Sequence, residues 1–206
     1  WQDNIDNNAF TNGMAKTVLR YATLAALDLG ITPDPDWNHV ADNIPILTFP
    51  DGTTKENATY DGVNIKQADV NLLAYPLNIV TEEKAIRRDL EYYLPRYAND
   101  GPAMGFAILG VLYNRLGDSE KASQIFANSY KPNEVPPFGV LSECAGGTNP
   151  YFATGAGGML QAVLSGFGGL EISKTGITQR HTTLPSGWGE MIISGVGKDK
   201  KTFKVK

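Results

Sequence analysis

Among the acids of this 206-residue chain, Glu143 stands in an unusual setting. It lies in Pro136-Pro137-Phe138-Gly139-Val140-Leu141-Ser142-Glu143-Cys144-Ala145-Gly146-Gly147, a stretch without other charges, between segments that read as helices. A carboxyl group there is either an ordinary solvent-exposed loop glutamate or an acid whose charge is disfavoured by desolvation, poised to accept a proton. A second group is Lys66-Gln67-Ala68-Asp69, at a predicted helix start. Lysine, glutamine and a nearby acid offer donors and acceptors together, which suits the hydroxyls of a sugar; the same residues also make an ordinary helix cap. Asn57-Ala58-Thr59 is an N-glycosylation acceptor sequence, meaningful only in a secreted eukaryotic protein.

Other chemistries find little support. The two histidines, His39 and His181, are far apart and lack cysteine or acid at ligand spacing, so no metal site is expected. No Gly-x-Ser-x-Gly elbow, Walker motif or dinucleotide glycine motif is present, and no cofactor is expected. The net charge of −4, with no basic cluster beyond Lys198–Lys201, argues against nucleic acid as a partner. Cys144 is the only cysteine, which excludes an intrachain disulfide. It reads as a packing residue and leaves the compartment open, a secreted or periplasmic location being the preferred expectation. No apolar run approaches the roughly 20 residues that a membrane-spanning helix needs. The opening Trp1-Gln2-Asp3-Asn4 has no signal-peptide pattern and no initiator methionine, and reads as the middle of something longer.

The elements that must position these groups follow from periodicity. Phe10, Met14, Val18, Ala22, Ala25, Ala26 and Leu29 form the stripe of an amphipathic helix stopped by Gly30 and Pro33. A short helix is predicted over 36–43 and an isolated strand or extended piece over Ile44–Phe49, ended by Pro50-Asp51-Gly52. Lys66–Asn78 is predicted helical. Thr81 is predicted to cap a helix running to about Tyr97, with Glu82 and Glu83 in its first turn and a break at Pro95. Further helices are predicted from Pro102 through Ala103 to Leu116, from Ser119 to Tyr130, and from Gly155 to Phe167, the last glycine-rich and suited to close packing. From about residue 170 the texture changes to short strands, at Leu170–Ile172, Met191–Ile193 and Phe203–Val205. About six helices followed by strands suggest a helical toroid with functional loops at one end.

Several segments, in order, resemble glycoside hydrolase family 65. They are Asp6-Asn7-Asn8-Ala9-Phe10-Thr11-Asn12, Ile65-Lys66-Gln67-Ala68-Asp69-Val70, Gly101-Pro102-Ala103-Met104, Ser142-Glu143, Thr154-Gly155-Ala156-Gly157-Gly158-Met159-Leu160-Gln161-Ala162 and Gly166-Phe167-Gly168-Gly169. The resemblance implies a mainly α chain: the second half of an (α/α)6 barrel over 1–169, then a small C-terminal β-sheet domain over 170–206. It implies an inverting hydrolase of a small α-glucoside such as kojibiose or trehalose. Such an enzyme needs an acid to protonate the glycosidic oxygen and a base to activate water on the opposite face, roughly 6.5–9.5 Å apart.

By this resemblance Glu143 is the general base, and Trp1, Lys66 and Gln67 bind the glucose of the −1 subsite. The general acid falls immediately before Trp1, outside the chain. The family also contains phosphorylases, which carry a His/Ser-rich phosphate loop; the matching place here is Asn99-Asp100-Gly101-Pro102-Ala103, with neither residue type. Hydrolysis is therefore the expectation, with a disaccharide phosphorylase and a non-catalytic carbohydrate-binding fragment as the rivals. The expected partners are the small α-glucoside and the N-terminal segment of the same enzyme, with a homodimer possible. Alone, the 206 residues are expected to be inactive.

Overall fold

The computed structural model describes residues 4–98 and 100–206. Its contacts gather into two compact units, one of residues 1–65 and 69–96, the other of residues 66–68 and 97–206.

In the first unit, helix α1 (Ala9–Asp28) forms where its spacing predicts, but the face it buries is Ala9, Gly13, Lys16, Thr23 and Ala26, while Met14, Val18 and Leu29 of the expected stripe are exposed. Asn8 caps it, its Oδ1 accepting from the Thr11 amide at 2.9 Å. Helix α2 (Pro35–Asn43) follows the Pro33-Asp34-Pro35 turn, with the Asp34 side chain accepting from the Asp36 amide. Lys16 is buried on α1, and its ammonium donates to the carbonyls of Ala41 and Ile44 at 2.5 and 2.9 Å. It thereby satisfies two C-terminal carbonyls of α2 that lack helical partners. Burial, and then the charge of Arg20, lower the pKa of Lys16.

Three expectations for this unit are corrected. The predicted strand over Ile44–Phe49 is reduced to a single bridge between Thr48 and Thr54 around the Asp51-Gly52 turn. The predicted helix over Lys66–Asn78 is only α3 (Asp69–Leu72). Pro76 disfavours helical backbone at Tyr75 and lacks the amide to continue a ladder, and Asn78 takes a φ of +54°. Helix α4 (Glu83–Tyr93) is capped by Glu82 without a side-chain hydrogen bond, rather than by Thr81. It passes into a 3₁₀ turn, Leu94–Arg96, where Pro95 was expected to break it. The core of this unit is aromatic: Tyr93, fully buried, stacks on Tyr60 at 5.8 Å and meets Tyr92 edge-on at 4.9 Å.

In the second unit, α5 (Met104–Arg115) is buried along most of its length and packs against α6 (Ser119–Asn128) and α7 (Ala153–Gln161). A hydrophobic helix buried all round is what the run of apolar residues from Phe106 to Tyr113 dictates. Gly158 of α7 lets the helices approach, since a Cβ there would meet the Ala107 side chain at 3.1 Å. After Gln161 the helix widens into a π turn, Ala162–Phe167, which brings Phe167 into the core against Phe126 and Trp188. Strand β3 (Leu170–Ser173) pairs antiparallel with β4 (Gly176–Gln179). Strand β5 (Met191–Val196) pairs with β6 (Lys201–Val205), with an irregularity between Ile193 and Val196. A two-residue hairpin, β1 (Glu134–Val135) with β2 (Val140–Leu141), precedes Glu143.

Candidate active site

The β1–β2 hairpin delivers Glu143. Its turn, Pro136-Pro137-Phe138-Gly139, closes with the Gly139 amide on the Val135 carbonyl at 3.1 Å, and Gly139 takes a φ of +67°, which glycine adopts without strain. Beyond β2 the chain is held from beneath. Asn133 and Ser142 are both buried, at 2% and 0% exposure. The Asn133 amide nitrogen donates to the carbonyls of Ser142 and Glu143, each at 3.0 Å. The Ser142 amide donates to Asn133 O at 2.8 Å, and its hydroxyl lies 3.0 Å from Asn133 O and 2.7 Å from Cys144 O. Gly146 N on Pro132 O and Gly147 N on Cys144 O, each at 3.0 Å, complete the loop.

The Glu143 side chain is exposed, and its carboxyl makes no hydrogen bond or ion pair with the described residues. Of the two settings considered from sequence, the chain shows the exposed loop glutamate. Cys144 is corrected, being an exposed free thiol rather than a packing residue. What the loop uses of Cys144 is its backbone carbonyl.

Lys66 is exposed and Gln67 half-buried, on a bend between Ile65, whose amide donates to Arg96 O at 2.9 Å, and buried Ala68. Gly101 lies against this bend: a Cβ there would stand 3.5 Å from the Lys66 carbonyl and 3.1 Å from that of Ala98. Lys66, Gln67 and Glu143 belong to the same compact unit. Trp1 lies outside the described residues. Among the described residues, no group of histidine, cysteine and acid side chains could hold a metal ion.

One feature was not foreseen, and a residue already singled out takes an unexpected place. Glu56 is paired with Asp69, which accepts from the Asn8 amide at 2.9 Å, and one Glu56 carboxyl oxygen is buried without a partner. Burial first, then the Asp69 charge and a hydrogen bond with Asp69, push the Glu56 carboxyl up to about 8. Glu56 sits in Thr54-Lys55-Glu56-Asn57, which has the composition of a surface turn, so only the fold could reveal it. Asn57 is the residue already singled out: it is 2% exposed, with its Oδ1 accepting from the Thr59 amide and hydroxyl. The side chain thus closes a local turn onto Thr59.

No family model matches the chain. Curated relatives do. The chain is 57% identical, over its whole length, to a kojibiose hydrolase from Mucilaginibacter mallensis and covers 31% of that protein. It is 51% identical over 98% of its length to a kojibiose hydrolase from Flavobacterium johnsoniae, of which it covers 30%. It thus spans under a third of the length of these relatives. A solved structure named for a kojibiose phosphorylase from the human microbiome matches 98% of the chain, and 33% of its own, with a TM-score of 0.72 at 16% identity. That likeness establishes the fold: mainly α, the C-terminal part of a helical barrel followed by a small sheet. With the ordered segments and these relatives together, the chain belongs to glycoside hydrolase family 65, of which it forms a C-terminal portion.

Proposed function

We infer that this chain is the C-terminal part of an inverting α-glucoside hydrolase, with kojibiose as the leading substrate and trehalose or a related glucoside behind it. The observation that carries this reading is the 57% identity, across the whole chain, to a protein named kojibiose hydrolase. Glu143 is the general base. Its carboxyl is exposed on a pinned loop, where it can take a proton from the attacking water. The acid that protonates the departing oxygen is supplied from the segment preceding Trp1. Lys66 and Gln67, with Trp1, hold the hydroxyls of the −1 glucose, the lysine donating and the glutamine amide both donating and accepting.

In this reading residues 1–169 complete a barrel begun by an N-terminal segment, and 170–206 form a small β domain. The rival phosphorolysis is favoured only by the name of the 16%-identical structure, a level of likeness that speaks for fold alone. The stretch 99–103 offers a phosphate neither histidine nor serine.

The test uses the full-length enzyme and its Glu143→Gln variant, incubated with kojibiose, trehalose and other α-linked glucose disaccharides, with and without phosphate. The anomer first released is followed by NMR. β-Glucose formed without phosphate, and lost by a factor of about 10³ or more in the variant, is the expected result. Glucose 1-phosphate formed only with phosphate, or full activity in the variant, would overturn the mechanism.

A further inference from the structure

The hairpin beneath Glu143 contains more polar machinery than a two-residue ladder requires. Asn133 and Ser142 are almost wholly buried, yet their side chains are spent on three successive backbone carbonyls, those of Ser142, Glu143 and Cys144. Buried donors satisfied in this way fix the backbone on both sides of the Glu143 α-carbon. A base in an inverting hydrolase must stand at a set distance from the acid, with one water between it and the anomeric carbon, and a misplacement of about 1 Å costs on the order of 100-fold in rate.

We propose that Asn133 and Ser142 are positioning residues for the Glu143 carboxylate, clamping the 142–144 backbone so that its side chain meets the nucleophilic water. This rests on the reading of Glu143 as base. Ser142→Ala is the informative variant, because it removes the hydroxyl and strands no acceptor. Asn133 O keeps the Ser142 amide, and Cys144 O keeps the Gly147 amide. The fold should therefore persist while the clamp loosens.

In the full-length enzyme, Ser142→Ala is expected to lower kcat on kojibiose about tenfold with KM nearly unchanged. Asn133→Ala, which removes the other half of the clamp, predicts the same split and serves if Ser142→Ala does not fold. A second background separates positioning from general loosening. Glu143→Ala is assayed with α-glucosyl fluoride and azide; azide attacks the anomeric carbon, fluoride leaves, and β-glucosyl azide forms without a base. Ser142→Ala added to Glu143→Ala should leave this azide-rescued rate unchanged. An equal loss there, or a wild-type kcat in both single variants, would overturn the proposal while leaving Glu143 as base. A Glu143→Ala enzyme that hydrolyses kojibiose at the wild-type rate would instead overturn the reading of Glu143, and the clamp with it.

Discussion

At the scale of single residues, the chain separates two carboxyl groups by what surrounds them. Glu143 projects into the open from a rigid loop, whereas Glu56 is half-buried against Asp69 and held protonated. The second has a thermodynamic signature. Its folded pKa of about 8 lies above the ordinary value of 4.5. Below pH 4.5 both folded and unfolded states carry the proton, so the group contributes no pH dependence. As pH rises from 4.5 to 8 the unfolded chain releases it and the folded chain does not, so stability falls with pH across that window and then levels. Glu56→Gln keeps an N–H to donate to Asp69 and removes the titration. Relative to wild type it should gain stability progressively over this window, by on the order of 2–4 kcal/mol at its upper end. Melting curves across pH are the check, and parallel profiles for the two proteins would count against it. Nothing in the sequence marks Glu56, since its partner Asp69 is far from it in the chain. Glu143 was legible only because Ser142-Glu143 falls in order among the segments typical of its family.

At the scale of elements, long periodic helices were readable and short, context-made pieces were not. The helical spacing of α1, the proline-led start before α5 and the glycine-rich α7 each carry a local signal strong enough to survive folding, although the apolar stripe of α1 is not the face its unit buries. Helix α3 shrinks to one turn because Pro76 limits one side, and the bend at 66–68 joins the other compact unit. The β1–β2 hairpin shows no alternation to read, with two residues per strand; buried Asn133 and Ser142 hold it rather than a ladder. The π turn after α7 also lacks a sequence signature. It ends in Gly168-Gly169, where Gly169 has a φ of +63° and its carbonyl receives the Arg180 amide at 2.8 Å. A Cβ there would stand 2.6 Å from the Arg180 carbonyl oxygen, which is backbone and cannot move aside. Gly169→Ala should thus cost about 2 kcal/mol or more of stability, from left-handed strain plus the clash. Gly189→Ala, which meets nothing within 4 Å and has no positive φ, should stay within about 0.5 kcal/mol. Thermal melting of the two variants side by side tests the argument, and equal melting points would remove it.

At the scale of the whole molecule, the surface of the first unit bears on what the chain needs in order to function. Helix α1 and the residues after it leave Val18, Tyr21, Leu27, Leu29 and Ile31 between 58% and 74% exposed, with Met14 and Leu24 also open. Single exposed apolar residues are ordinary, but so many along one helix and its exit make an apolar face that a further segment could cover. The family's relatives have more than twice as much chain again, and a helical barrel has further helices with which to cover such flanks. An N-terminal segment lying on α1 would bury this surface. The 206 residues alone should accordingly self-associate, bind a hydrophobic dye and hydrolyse no glucoside. Adding the N-terminal segment as a separate polypeptide should give a one-to-one complex that no longer binds the dye and turns over kojibiose. Size-exclusion chromatography with intact mass measurement decides it. A monodisperse monomer of this chain, blind to the dye, would mean that the open face of α1 is tolerated as it stands and that no covering segment is required.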